Sequence, residues 1–128
     1  MEPIFGKDGV VVGWMVPPDG IADLSGRYVA FVVDGAVFDY RSHYLGRLYD
    51  GYVWDRDGNA VASLVGAAGG PPAKRSGTVP PPPPAGPVPP RPKKLPAPPR
   101  APVYTKKWSE MRWDEFLTGR QKFIAYRR

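Results

Sequence analysis

Four near-copies of one eleven-residue phrase fill the first half of this chain, and no other feature restricts its fold as much. IFGKDGVVVGW begins at Ile4, IADLSGRYVAF at Ile21, VFDYRSHYLGR at Val37 and VWDRDGNAVAS at Val53, aligned without a gap and spaced 17, 16 and 16 residues apart. Self-similarity at a fixed period is the mark of one supersecondary unit repeated. Each copy starts with two apolar residues, reaches a polar turn and continues into a run rich in β-branched and aromatic side chains, the pattern of a β-hairpin. Asp8-Gly9, Ser25-Gly26 and Asp57-Gly58 put glycine where a tight turn needs positive φ. The third copy has Arg41-Ser42 there, so its turn is expected to be wider or more strained.

The second strands are expected over residues 10–16, 28–33, 44–49 and 60–65. One column holds Val12, Val29, Leu45 and Val61, and the next holds only Gly13, Ala30, Gly46 and Ala62. Side chains this small at one repeat position predict four backbones in close approach around a shared axis. Met15, Val32, Leu48 and Leu64, two columns on, would pack the centre. Asp19-Gly20, Asp34-Gly35, Asp50-Gly51 and Val65-Gly66 would join one hairpin to the next. The expected fold is all-β: four antiparallel β-hairpins about a pseudo-four-fold axis, a small propeller-like rosette whose eight strands run as one meander.

The repeats end near residue 67. A core of that length buries only about 60% of its unfolded surface and needs reinforcement. The chain contains no cysteine, so neither a disulfide nor a cysteine-ligated zinc can supply it. Charge divides at the same place: residues 1–67 carry five Lys/Arg against nine Asp/Glu, and residues 68–128 carry thirteen against three. An acidic head and a basic tail suggest either a tail folded onto a head or an anionic partner. No secretory signal pattern opens the sequence and no stretch is apolar enough to cross a membrane, which makes a cytoplasmic location the expectation.

Residues 68–103 form a Gly/Pro-rich linker in which fifteen of the 32 positions from 71 to 102 are proline. Such a segment populates extended polyproline II and reads as a semi-rigid spacer on the order of 100 Å long, with Gly66 to Gly70 as its flexible joint. Its PxxP matches are nearly unavoidable at this proline density, so the spacer reading is preferred to a recognition motif. In residues 104–128 the run 107–117 reads as a short amphipathic helix capped by Ser109 and stopped by Gly119, followed by a basic tail with Phe123, Ile124 and Tyr126. Trp108, Met111, Trp113, Phe116 and Leu117 would share one broad apolar face. So short a helix is unstable alone and needs a groove, on the β core, on another copy or on a partner.

Tandem apolar-x-Asp-x-[Asp/Ser]-Gly hairpins, Val-[Gly/Ala] in the second strand, a proline-rich spacer and the terminal WSEMRWDEFL segment together resemble the bacterial 4-fold beta flower family. The resemblance covers residues 3–66 well and the terminal segment loosely. It implies four β-hairpins about a pseudo-four-fold axis and carries no established enzymatic activity. Two positions depart from the pattern: Gly6, where the other copies have Asp23, Asp39 and Asp55, and Ser42, where they have glycine.

Those three aspartates could form a ring for a hard cation, but Asp just before a turn commonly caps that turn. His43, the single histidine, has no nucleophile context, and Gly66 to Gly70 lacks the lysine and Ser/Thr of a phosphate loop. No enzyme activity, cofactor or metal is expected. The expected function is a non-enzymatic protein interaction or adaptor module, with a protein partner or self-association, in which the aromatic helix docks on the β core or on the partner through Trp108, Met111, Trp113, Phe116 and Leu117. The alternative is non-specific binding of nucleic acid or another anionic polymer through the basic tail.

Overall fold

All four phrases fold into a strand, a turn and a strand, and the turn is the same each time. The backbone N–H groups of Gly6, Asp23, Asp39 and Asp55 donate to the carbonyls of Val10, Arg27, His43 and Asn59 at 2.8–3.0 Å. Those of Gly9, Gly26, Ser42 and Gly58 donate back to the carbonyls of Gly6, Asp23, Asp39 and Asp55 at 3.0–3.2 Å. The position before the second strand is left-handed, with φ of 87°, 92° and 84° at Gly9, Gly26 and Gly58. Ser42 takes the same turn at φ 72°, so the third turn is strained, at a cost on the order of 1 kcal/mol, but not wider.

The computed structural model describes residues 1–75 and 77–119. Its strands are β1 (Glu2–Phe5), β2 (Val11–Val16), β3 (Gly20–Ala22), β4 (Tyr28–Val33), β5 (Ala36–Asp39), β6 (Tyr44–Tyr49), β7 (Tyr52–Trp54) and β8 (Ala60–Ser63), and its helix is α1 (Trp113–Thr118). Asp34-Gly35 and Asp50-Gly51 link strands with paired positive φ values of 50° and 82°, and of 52° and 80°, as two-residue hairpin turns require. The first link differs from expectation: Pro17, Pro18 and Asp19 occupy the turn and Gly20 already belongs to β3. Prolines cannot continue a ladder, so they take over the reversal.

Every strand is antiparallel to both neighbours, and the sheet closes on itself as an eight-stranded barrel. The hairpins are thus joined edge to edge in one sheet and do not stand as separate blades. The register slips once in each hairpin: Ile4 faces Gly13 but Phe5 faces Val11, and the same step recurs at Ile21/Ala22, Val37/Phe38 and Val53/Trp54. The residues skipped are Val12, Val29, Leu45 and Val61, one β-bulge per copy. Simple alternation would put that column on the face opposite Gly13 and its equivalents, whereas the bulge lets it pack the interior too. Leu45 and Val61 are buried there with Ile4, Ile21, Val37 and Val53, and Met15, Val32 and Leu48 pack against them.

On the outer face lie three aromatic clusters, around Trp14, around Phe31 and Phe38, and around Tyr52 and Trp54. The proline-rich segment does not project from the barrel as a spacer would. It touches the wall at β7 and β8, then at the turns on either side of β3, then at β6 and the turn before it, and finally at the last hairpin turn. Pro71 accepts the Tyr52 hydroxyl, and Arg75 reaches Ser63 and Leu64. Gly86 donates to Gly26 at 2.9 Å, Arg91 pairs with Asp19, and Ser42 and Arg47 donate to the carbonyls of Lys94 and Pro99. Thr105 then donates to Gly58, and the Trp108 indole donates to Pro72 at 3.1 Å, joining the end of the belt to its start. Among the described residues one ion pair, Arg91 with Asp19, joins the acidic head to the basic segment, and hydrogen bonds and packing make the other contacts.

Barrel closure is thinnest between β1 and β8, which share the single registered pair Phe5 and Ser63. Arg75 fastens this seam: its guanidinium sits 4.0 Å from the Phe5 ring centroid and donates to Ser63 Oγ at 3.3 Å and to the Leu64 carbonyl at 2.9 Å. Arg75→Ala is expected to cost about 1–2 kcal/mol, with amide exchange accelerating first at Phe5 and Ser63.

The helix is shorter than the amphipathic pattern predicts. Ala60 donates to the Lys107 carbonyl at 3.0 Å and accepts Ser109 N–H at 2.7 Å, so Trp108 forms a parallel bridge beside β8 and the helix does not begin until Trp113. The sheet edge outbids the helix for that backbone. Ser109 therefore does not cap α1. Its hydroxyl accepts the Met111 N–H, while Glu115 accepts the N–H of Arg112, the N-cap residue, at 2.8 Å. Gly119, at φ 69°, ends the helix as expected.

Candidate functional site: the plugged end of the barrel

Helix α1 inserts its apolar side into the barrel core. Trp113 and Phe116 are 8% and 0% exposed and stack with centroids 5.5 Å apart, while Met111 and Leu117 pack against the same core. The small column makes room for them. A Cβ on Gly46 would lie 2.9 Å from the Phe116 ring and 2.0 Å from the Trp54 carbonyl oxygen. One on Gly13 would lie 3.6 Å from the Trp113 indole nitrogen and 2.7 Å from the Ala22 carbonyl oxygen. The close approach at these positions is thus to the first strand of the next hairpin, β3 or β7, and to the helix. Copies two and four carry Ala30 and Ala62 at this position, both fully buried in the same core cluster as Trp113 and Phe116.

Trp108 parts company with the other four expected contact residues. It lies on the outer wall with Tyr52, Trp54 and Tyr104, its ring 6.1 Å from that of Tyr52. The bridge to Ala60 turns it away from the helix, so the predicted single face divides into a plug and an outer clasp. Sequence reasoning missed Tyr104, which stacks on Tyr49 at 4.8 Å, Arg75, which reaches the Phe5 ring and the Leu64 carbonyl, and Arg91, which reaches the Phe31 ring and the Asp19 carboxylate, all partners distant in sequence.

Beside the plug runs a groove of about 570 Å³ lined by Lys7, Val10, Leu24, Met111, Arg112 and Trp113. Val10 and Leu24 are 51% and 54% exposed. The first turn is slimmer than its equivalents because Gly6 has no side chain, and Lys7 Nζ holds the incoming segment by donating to the Ser109 carbonyl at 3.1 Å. Asp8 and Asp114 complete a rim of mixed charge. A second groove, of about 520 Å³, lies where the third turn meets Pro96 and Pro99 and contains His43, held by Asp39 at 2.9 Å.

The three repeated aspartates each serve their own turn. Asp23 Oδ1 accepts the N–H groups of Ser25 and Arg27 at 2.9 and 3.0 Å, Asp39 those of Arg41 and His43 at 2.9 Å, and Asp55 those of Asp57 and Asn59 at 2.9 and 3.0 Å. Among the described residues no three potential metal ligands cluster. Burial, the largest single influence on the Asp23 carboxyl, pushes its pKa up, but hydrogen bonds from Ser25 and Arg27 and the Arg27 charge together hold it below the ordinary value. A depressed folded-state pKa stabilises the fold above the unfolded value and the benefit is lost as pH falls through the folded value. Asp23→Asn should therefore destabilise the protein at about pH 6 and make progressively less difference toward about pH 3, in denaturant titrations of both proteins.

The basic run with Phe123, Ile124 and Tyr126 lies outside the described residues. No helix among the described residues is long and apolar enough to cross a membrane.

The sequence model of the 4-fold beta flower protein family matches residues 2–117, and the chain belongs to that family. The match runs through the belt and most of α1, beyond the hairpins that carry the resemblance best. No curated protein and no solved structure matches the chain.

Proposed function

We propose that this protein is a non-enzymatic interaction module that receives a protein partner at the plugged end of its barrel. The observation that carries this reading is the groove beside α1, where Val10 and Leu24 stay more than half exposed next to Met111 and Trp113. Apolar side chains in a concave site with a charged rim are what a protein interface uses. In this reading α1 docks in cis as part of the receiving surface, and Phe116 and Leu117 set its position. A pseudo-four-fold arrangement of the hairpins, supported by four matching turns and four matching bulges, gives the plug a rigid frame. Residues 1–67 then act as frame, 68–103 as belt and 104–128 as clasp, plug and tail. A photo-crosslinker at Leu24 should capture a partner that one at Val88, on the belt, does not, and Met111→Asp should abolish capture. Equal capture at both positions contradicts the proposal.

A second reading, binding of nucleic acid or another anionic polymer, is favoured by Lys74, Lys93, Lys94, Arg100, Lys106 and Lys107, all exposed along the belt and clasp. Affinity for single-stranded nucleic acid falling steeply across a salt series would support it, and a flat response would remove it.

A further inference from the structure

The outer wall carries a surface separate from the plugged end. Between Pro83 and Leu95 the belt meets the barrel at every third residue: Pro83, Gly86, Pro89, Pro92 and Leu95 are partly buried, and all residues between them are exposed. A three-residue repeat is that of polyproline II, lying with one edge against the wall. The wall is shaped for that edge. At Gly26 the left-handed turn lacks a Cβ, which would otherwise fall 2.2 Å from the Pro84 carbonyl oxygen, and its own carbonyl accepts Gly86 N–H. Asp19 takes the Arg91 guanidinium on both carboxylate oxygens, at 2.5 and 3.2 Å, and the guanidinium lies 4.4 Å from the centroid of Phe31. Leu95 packs into the cluster of Phe31, Phe38 and Tyr44. An aromatic groove with an acidic residue that takes an arginine is a recurrent way to read extended proline-rich peptides.

The belt is held by this fit and by its tethers, because proline has no N–H to knit it into the sheet. Over residues 83–95 Gly86 alone donates a backbone hydrogen bond to the barrel among the described residues. A tethered segment of this kind yields to a free competitor once the competitor approaches the tether's effective concentration, in the millimolar range. We propose that the wall is a receptor for proline-rich polypeptides with arginine four residues before leucine, and that the belt is its resident ligand, displaced by such a segment of another chain.

The full-length protein and a peptide copying residues 82–97 test this by amide chemical shifts. Arg91→Ala in the protein loosens the belt. The unmodified peptide should then bind about tenfold or more tightly than it binds the wild type, with shifts centred on Asp19, Gly26 and Phe31, and a peptide carrying Arg91→Ala should not bind. Should that variant fail to fold, Asp19→Arg serves: it should accept a peptide carrying Arg91→Asp and refuse the unmodified one. No shift at those three residues up to about 5 mM peptide, or equal response to matched and mismatched peptides, overturns the proposal. Neither outcome bears on crosslinking at Leu24, which reports on the other surface.

Discussion

Replacing Phe116 with alanine is expected to lower the stability of the whole barrel by about 3–5 kcal/mol, the cost of emptying a fully buried aromatic site. Phe116 is 0% exposed and lies between Gly46 and Trp113 at the centre of the core. A six-residue helix has no stability of its own, so losing this anchor should release α1 and expose Trp113 with it. The thermal midpoint should fall by more than about 10 °C, given about 4–8 °C per kcal/mol for small domains. Phe116→Leu, which keeps most of the volume, should cost about 1 kcal/mol. A Phe116→Ala protein that melts like the wild type would mean that the helix decorates the barrel and does not complete it.

Adding one methyl group at Gly46 is expected to be nearly as damaging. The new Cβ would stand 2.0 Å from the Trp54 carbonyl oxygen and 2.9 Å from the Phe116 ring, so β7 must move or the plug must leave. Overpacking against backbone costs about 3 kcal/mol or more, since a carbonyl cannot rotate away as a side chain can. Gly13→Ala should cost less, about 1–3 kcal/mol, because its Cβ would lie 2.7 Å from the Ala22 carbonyl oxygen and 3.6 Å from the Trp113 nitrogen. Combining Gly46→Ala with Phe116→Leu should recover part of the loss, since the two share one clash, and denaturant unfolding of the four proteins would measure that coupling. Equal costs at 13 and 46, or a purely additive double mutant, would contradict the packing described.

The hairpins were legible in the sequence because turn letters and strand letters recur in step. Gly9, Gly26 and Gly58 mark left-handed positions that the backbone cannot otherwise adopt cheaply. Closure into a barrel was less so, because the pairing of β8 with β1 joins the two ends of the repeat array and has no turn letters of its own. The bulges were hidden for a related reason: Val12, Val29, Leu45 and Val61 look like ordinary alternating residues until the register shows that the opposing strand skips them. Proline content foretold the belt's extended conformation but not its course, which depends on single long-range partners such as Arg91 with Asp19. The opposite charges of the two halves were the available clue that one lies on the other. At the plug, five apolar residues in eleven suggested a helical face, but Trp108 and Ser109 were claimed by Ala60. The trace that the plug left in the barrel's own sequence was Gly46, where a Cβ would stand 2.9 Å from the Phe116 ring.

Thermal unfolding of a chain that ends after Ala101, compared with the full-length protein, tests most directly whether the terminal segment is part of the barrel's own core. Removal of Tyr104, Trp108 and α1 should lower the midpoint by more than the Phe116→Ala change does, or abolish the cooperative transition. An unchanged midpoint would show that the barrel stands without its plug.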